Sequence, residues 1–200
     1  MKCLARVSLS ASPVERDLLL RTMTRVNGVC NEIGLRAWSQ QLFGLYKLQC
    51  WLYHDLRREF GLSSQMTIRC LARVANRYRL DRSVPCAFDP YSALVYDDKL
   101  LSWNLLDSWV SIWTLDGRLR LTFAGTSLDR TFLEFRQGET DLVFDPPGFA
   151  LSALCEVRLP HAGRAVPRNN SIGSPAGVGD ETSTAPRQKD NTTSRHAPHA

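Results

Sequence analysis

The sequence lacks a long hydrophobic run, closely spaced cysteines and an apolar segment behind its first residues. No window approaches the roughly 18 uncharged apolar residues that a membrane helix needs. Arg6 stands where a signal peptide has its apolar segment, so we expect no secretion, no membrane contact and a cytoplasmic protein. The six cysteines never form a Cys-x-x-Cys pair. This argues against a disulfide framework or a zinc site and favours thiols that act as small buried hydrophobes.

Groups that usually carry catalysis are also scarce. His54 is the only histidine before residue 161, and the sequence has no nucleophile elbow, P-loop or Gly-x-Gly-x-x-Gly. Carboxylates are plentiful, but Asp97, Asp98, Asp116 and Asp145 stand in turn-like contexts that aspartate favours for backbone reasons. We therefore predict no catalytic centre, no metal site and no cofactor.

Positive charge is concentrated in one stretch of the chain. The formal net charge is +5. Residues 57–82 contain seven arginines and two acidic residues, so this stretch alone carries the same excess. A concentrated positive charge favours a polyanionic partner.

The first part of the chain predicts a strand followed by a helix. Residues 2–9 alternate between apolar and polar side chains, which is typical of a half-buried strand. Ser12 and Glu15 form a capping box, and Pro13 suits the first helical position. Apolar residues then recur at spacings of three and four up to Ala37, which indicates one buried helix face.

Two more helices are expected before residue 81. Leucines at helical spacing predict one over about residues 45–60, with Gly61 placed to end it. The other is capped by Ser63 or Ser64 and runs to about Arg79.

The second half of the chain predicts strands. From residue 93 onward the apolar period changes to two. Asp116-Gly117 favours a tight hairpin, since a type I′ turn needs residues that tolerate positive φ. Residues 127–137 predict a short helix, and a further strand pair flanks Asp145-Pro146-Pro147-Gly148.

We therefore predict an α+β fold: a small antiparallel β-barrel with an inserted three-helix lobe and a disordered tail. The barrel is expected to comprise residues 1–11 and 81–160, and the helical lobe residues 12–80. Residues 161–200 contain no aromatic residue and few large aliphatic ones. Such a segment cannot bury enough surface to offset its ordering entropy, so it forms the predicted tail.

The third predicted helix carries the candidate site. Arg69, Arg73 and Arg77 lie within an arc of about 80° on a helical wheel, so a row of guanidinium groups can meet a row of phosphates. Gln65 and Asn76 lie near the same surface, where they could reach base edges. A solvated basic face on an ordinary amphipathic helix is the alternative. The predicted nucleic-acid-binding residues are Arg57, Arg58, Gln65, Arg69, Arg73, Asn76 and Arg77.

Three of the five tryptophans lie in one stretch of eleven residues of the predicted barrel. They are Trp103, Trp109 and Trp113. Exposed aromatic side chains on a small barrel can stack on unpaired bases. The alternative is that they are ordinary core or sheet residues.

Three groups of short motifs follow one another along the chain. The first group is Thr22, Asn27, Cys30-Asn31 and Ala37-Trp38. The second is Leu56-Arg57, Phe60-Gly61-Leu62-Ser63, Gln65-Met66, Val74-Ala75 and Tyr78. The third is Tyr96-Asp97, Leu101-Ser102-Trp103, Val110-Ser111-Ile112, Thr114-Leu115, Gly117-Arg118, Gly138-Glu139 and Asp141-Leu142. In this order the motifs resemble the TnpB family of transposon-encoded proteins, and the resemblance covers residues 1 to about 159.

TnpB proteins are RNA-guided DNA endonucleases carried by insertion sequences. The resemblance implies a wedge-like barrel and a helical recognition lobe that hold a guide RNA and double-stranded target DNA. Guide pairing would then supply most of the sequence specificity.

The sequence also departs from that family. The family continues into a RuvC-like nuclease domain with three catalytic acids and a four-cysteine zinc site, and this pattern is not found here. Asp145 to Leu151 departs from the family's Gly-Lys-Phe-Tyr-Leu, and the match stops after Pro160, as a frameshift or early end would produce. We therefore expect a nucleic-acid-binding fragment, truncated before the nuclease domain, rather than an enzyme. An active nuclease and a non-functional or regulatory structural remnant are the alternatives.

Overall fold

The structure is a computed structural model that describes residues 1–157. Within this range the chain forms four helices and seven strands. In chain order they are β1 (Lys2–Ser10), α1 (Pro13–Ser39), α2 (Leu45–Phe60), α3 (Ser64–Leu80), β2 (Leu94–Tyr96), β3 (Leu101–Asn104), β4 (Trp109–Thr114), β5 (Gly117–Ala124), α4 (Ser127–Leu133), β6 (Arg136–Asp145) and β7 (Gly148–Glu156).

All strand pairs are antiparallel, and the seven strands form one sheet in the order β2-β6-β7-β1-β5-β4-β3. The two end strands, β2 and β3, are consecutive in the chain. The hydroxyl of Tyr96, at the end of β2, donates to the carbonyl of Trp113 on β4 at 3.1 Å. This contact brings the two ends of the sheet together in a nearly closed, barrel-like sheet.

The three long helices follow β1 and precede β2, so they are inserted between strands of the barrel. The predicted capping box is confirmed, because Ser12 N–H donates to Glu15 Oε2 at 2.7 Å and Glu15 N–H donates to Ser12 Oγ at 3.4 Å. Ser63 caps α3, and Gly61 ends α2 with a φ of 65°. The α+β class and the inserted helices are thus confirmed. The short helix α4 ends at Leu133, earlier than predicted, because β6 already begins at Arg136.

Buried side chains from the helices and the strands form a shared hydrophobic core. The described residues belong to one compact unit, and the predicted division between residues 12–80 and the barrel stays a prediction. The predicted disordered tail, residues 161–200, lies outside the described residues. All six cysteines are free thiols, four of them buried, as predicted for small hydrophobes. Within residues 1–157, no helix combines the length and the hydropathy needed to cross a bilayer.

Candidate nucleic-acid interface

Arg69 on α3 is held against two carboxylates of the barrel. Its Nε lies 3.0 Å from Asp97 Oδ2, and its Nη1 contacts the carboxylate of Glu139 on β6. Gln65, one turn earlier on α3, donates its side-chain N–H to the same Asp97 oxygen. Burial alone would raise the pKa of Asp97, but the bonds from Gln65 and Arg69 and the Arg69 charge outweigh it. The pKa of Asp97 is therefore lowered.

Arg73 is also engaged inside the molecule. Its Nη1 donates to Asn27 Oδ1 on α1 at 2.7 Å, and its Cζ lies 4.4 Å from the ring centroid of Phe88. The amide nitrogen of Asn27 in turn donates to the carbonyls of Pro90 and Ser92, both at 2.9 Å. Arg73 thus belongs to a network that ties α1, α3 and the segment before β2 together.

Two members of the predicted arginine row, Arg69 and Arg73, thus have intramolecular partners that the helical pattern did not indicate. Helical periodicity identifies a polar face, but it does not show which later segment covers that face. Here β6, the turn that follows β2, and α1 supply the acceptors of Arg69 and Arg73. Whether these two arginines also contact nucleic acid stays a prediction.

The remaining predicted residues are more accessible. Asn76 and Arg77 are exposed near the end of α3, and Arg57 is exposed near the end of α2. Arg58 is exposed as well and forms an ion pair with Asp55 at 2.6 Å. The structure thus divides the predicted set into an inward group on the first half of α3 and an outward group on the last turns of α2 and α3.

A cleft lies where the loop between α1 and α2 faces the last turns of α3. It has two adjoining parts that share Phe43, Gly44, Leu45 and Arg82. We call it the α2–α3 cleft, and its lining consists of Gln41, Phe43, Gly44, Leu45, Tyr46, Lys47, Ala75, Asn76, Arg79 and Arg82. Asn76 is the member of the predicted site that this cleft includes.

The cleft is lined by the aromatic ring of Phe43 and by the basic side chains of Lys47, Arg79 and Arg82. Phe43 packs against Tyr78 with ring centroids 4.7 Å apart, and the Arg82 Cζ lies 5.3 Å from the Phe43 centroid. Arg82 Nε also donates to the Tyr78 carbonyl at 3.0 Å, which fixes the guanidinium at the rim. Within the described residues, Lys47 and Arg79 form no ion pair and no side-chain hydrogen bond. Their charges are available to a ligand.

The first turn of α2 adds to the positive potential of the cleft. Gly44 occupies the N-cap position without a side-chain cap, and the first turn contains no acidic residue. The amide groups at a helix start carry a partial positive charge and bind anions, phosphates included. None of the described residues that line the cleft is acidic. Three cations and an uncapped helix start therefore share one surface.

Sequence reasoning did not select Lys47, Arg79 and Arg82 as site residues. A signal was present, because Gly44-Leu45-Tyr46-Lys47 begins a helix with neither a capping side chain nor an acidic residue. Its proximity to the end of α3 depends on the packing of two helices, which periodicity does not give.

Asp97 and Glu139 share Arg69, and other carboxylates of the barrel form separate ion pairs. Asp116 pairs with Arg21 at 3.3 Å, and Asp145 pairs with Arg6 at 2.8 Å. Among residues 1–157 no three His, Cys, Asp or Glu side chains are grouped to hold a metal ion.

Comparison with protein-family models finds no match to this chain, and comparison with curated proteins finds none either. The likeness to the TnpB family accordingly stays a resemblance of sequence motifs, and what it implies is a proposal.

Proposed function

We propose that this chain binds nucleic acid through the α2–α3 cleft, in the cytoplasm, and does not cut it. The observation that supports this proposal is the grouping of Lys47, Arg79 and Arg82 around the uncapped start of α2, with no acidic residue in the cleft lining. A guide RNA and double-stranded DNA are the partners that the TnpB resemblance suggests. The chain would then act as the nucleic-acid-binding part of a transposon-encoded RNA-guided endonuclease.

The chemistry of the cleft suits a phosphate backbone. Amide N–H groups at the start of α2 can donate to phosphate oxygens, while Lys47 and Arg79 neutralise neighbouring charges. Each neutralised phosphate releases condensed counterions, so binding should weaken steeply with salt. Arg82 is already fixed by Phe43 and Tyr78, so it loses little conformational freedom on binding.

The double variant Lys47→Gln, Arg79→Gln tests the cleft, because neither side chain has an intramolecular polar partner among the described residues. Affinity for a fluorescent RNA or duplex DNA should fall about tenfold or more at low salt. The slope of log affinity against log salt should fall by up to about 2, which fluorescence anisotropy over a salt series measures.

The matched control is Arg25→Gln, Arg130→Gln, which removes the same charge from two exposed positions outside the cleft. Its affinity should stay within about twofold of the parent, since only general charge is lost. Equal losses of affinity in the two double variants would contradict the cleft proposal. A folded chain that binds neither RNA nor DNA would favour the structural remnant instead.

The absence of cutting is tested separately. Incubation of the chain with guide RNA, matching target DNA and magnesium should leave the DNA intact on a denaturing gel. Magnesium-dependent cleavage that persists through repurification would favour the nuclease alternative.

A further inference from the structure

Tryptophan and arginine side chains share the outward face of β4 and β5. On both strands the inward residues are buried and the alternate ones face out. Cross-strand register places Trp113 opposite Arg118 and Ser111 opposite Arg120. The outward residues of the pair are Trp109, Ser111, Trp113, Arg118, Arg120 and Thr122. This surface is separate from the α2–α3 cleft, because the two have no lining residue in common.

Arg120 is stacked rather than paired. Its Cζ lies 3.8 Å from the ring centroid of Trp109, and within the described residues it forms no ion pair and no side-chain hydrogen bond. Arg118 is fixed in another way, since its Nη2 donates to the Lys99 carbonyl at 2.6 Å and its Nη1 to the Ser111 carbonyl at 3.2 Å. The face thus presents one guanidinium held over an indole and a second bonded to backbone carbonyls.

Every charged residue within this part of the sheet is basic, because the four adjacent strands β1, β5, β4 and β3 contain no aspartate or glutamate. Nearby acids lie in turns. Asp116 pairs with Arg21, Asp107 accepts from the Asn104 amide, and Asp98 is exposed beside Lys99. By contrast β6 alone contains Glu139 and two aspartates. The outward face of β4 and β5 is therefore complementary to a polyanion.

We propose that this face is a stacking platform for the unpaired bases of a single-stranded nucleic acid. A base stacks on the exposed side of the Arg120 guanidinium, whose other side lies on Trp109, while Arg118 meets a neighbouring phosphate. Single strands fit because their base faces are open, whereas in a duplex each face is already stacked. We name Trp109, Trp113, Arg118 and Arg120 the Trp–Arg platform. The inference rests on the proposed function and adds a second contact surface and a nucleotide class.

Abasic oligonucleotides separate stacking from charge. The full chain is titrated into a labelled oligothymidylate of about ten nucleotides, a length within the site sizes of single-strand binders, and into an abasic strand of equal length. The base-containing strand should bind at least about fivefold tighter, since stacking on even one base contributes that much. An oligouridylate with its own abasic partner distinguishes RNA from DNA as the source of the bases.

Two variants locate the preference. Arg120→Lys keeps the charge but removes the planar group, and Trp109→Leu removes the ring beneath it. Both should reduce the preference for bases to about onefold while binding of the abasic strand changes little. The control Trp51→Leu removes an exposed tryptophan from α2 and should keep the full preference. Near-UV and far-UV circular dichroism verify that each variant is folded.

The outcomes separate this inference from the cleft proposal. Equal binding of base-containing and abasic strands overturns the platform but leaves the cleft standing if Lys47→Gln, Arg79→Gln still weakens both. A base preference that Arg120→Lys and Trp109→Leu retain also overturns the platform. If Arg120→Lys and Trp109→Leu abolish the base preference, the platform is supported. If Lys47→Gln, Arg79→Gln also leaves the affinity for RNA and duplex DNA unchanged, the cleft is contradicted. Binding of neither strand overturns the platform, and the cleft is then judged by the binding of RNA and duplex DNA alone.

Discussion

At the scale of single residues, Asn27 is a motif residue of the TnpB resemblance whose role in the structure is in packing. Its side chain is fully buried in α1, and its amide contacts two backbone carbonyls and Arg73. Asn31, one turn later, accepts from the Phe88 N–H and donates to the Phe88 carbonyl. Both asparagines serve the segment before β2, which has no ladder of its own to satisfy its backbone. These positions therefore carry packing specificity rather than a contact with a ligand.

Asn27→Ala should destabilise the protein by about 2–3 kcal/mol, because it removes three partly buried hydrogen bonds, to the Pro90 and Ser92 carbonyls and from Arg73. The midpoint of urea unfolding, followed by fluorescence, measures the change. Asn76→Ala serves as control, since Asn76 is exposed on α3, and its midpoint should stay within about 0.5 kcal/mol of the parent. Equal midpoints for Asn27→Ala and the parent would contradict the proposed bridging role.

Asp97 makes stability depend on pH. Its pKa in the folded chain is lowered from the ordinary 3.8. Its stabilising effect is thus fully present above about pH 4 and is lost as the pH falls through the lowered value. Asp97→Asn should cost about 1–3 kcal/mol at pH 7, and this cost should shrink as the pH falls below the ordinary 3.8, because the parent then loses the same charge. Urea midpoints across this range measure the difference. Asp98→Asn, at an exposed neighbour, should show no such convergence.

At the scale of elements, the sequence predicts the course of the chain well because the local signals are strong. The capping box at Ser12, the glycine at Gly61 and the hairpin at Gly117 all act within a few residues. The predicted type I′ turn is wrong in detail, because Gly117 has a φ of 106° but Asp116 has no positive φ, and Thr114 pairs with Gly117 across the turn. What it could not predict is the environment of the α3 arginines. Arg69 contacts Glu139, which is seventy positions away in the sequence. Tertiary packing brings the two side chains together, and local sequence patterns do not reveal it.

The start of α2 allows stability and binding to be separated. Gly44 has β-region dihedrals, and a Cβ built there meets nothing within 4 Å, so a side chain fits. Gly44→Asp should supply the missing cap and favour the helix dipole, which raises stability by about 0.5–1 kcal/mol. The same carboxylate lies in the cleft and should weaken nucleic-acid binding about fivefold. Thermal unfolding and anisotropy measure the two effects.

Two glycine variants control for this prediction. Gly44→Ser adds a neutral cap and should keep affinity within about twofold of the parent. Gly28→Ala lies inside α1, where a Cβ also meets nothing within 4 Å, and should raise stability by about 0.5–1 kcal/mol without changing binding. If Gly44→Asp raised stability and left affinity unchanged, the start of α2 would not contact the ligand.

At the scale of the whole molecule, the barrel is built from contacts that are distant in sequence. The first strand lies in the middle of the sheet, paired with β5 on one side and with β7 on the other. Lys2 is opposite Glu156, so the sheet cannot be completed before the last strand is in place. The helices contribute to the same core through residues such as Leu19 and Met23. Barrel and helices therefore depend on each other for burial.

This shared core predicts a single cooperative unfolding transition. Far-UV circular dichroism follows mainly α1–α3. In a Trp38→Phe, Trp51→Phe background, which serves as the parent here, the fluorescence comes from Trp103, Trp109 and Trp113 and follows the barrel. The two urea curves of the parent should coincide, and Asn27→Ala should shift both by the same amount, because Asn27 joins α1 to the segment before β2. Asp98→Asn should move neither curve. If the circular dichroism curve preceded the fluorescence curve, residues 12–80 would be an independent domain, and the helices that line the α2–α3 cleft would not need the barrel to hold them in place.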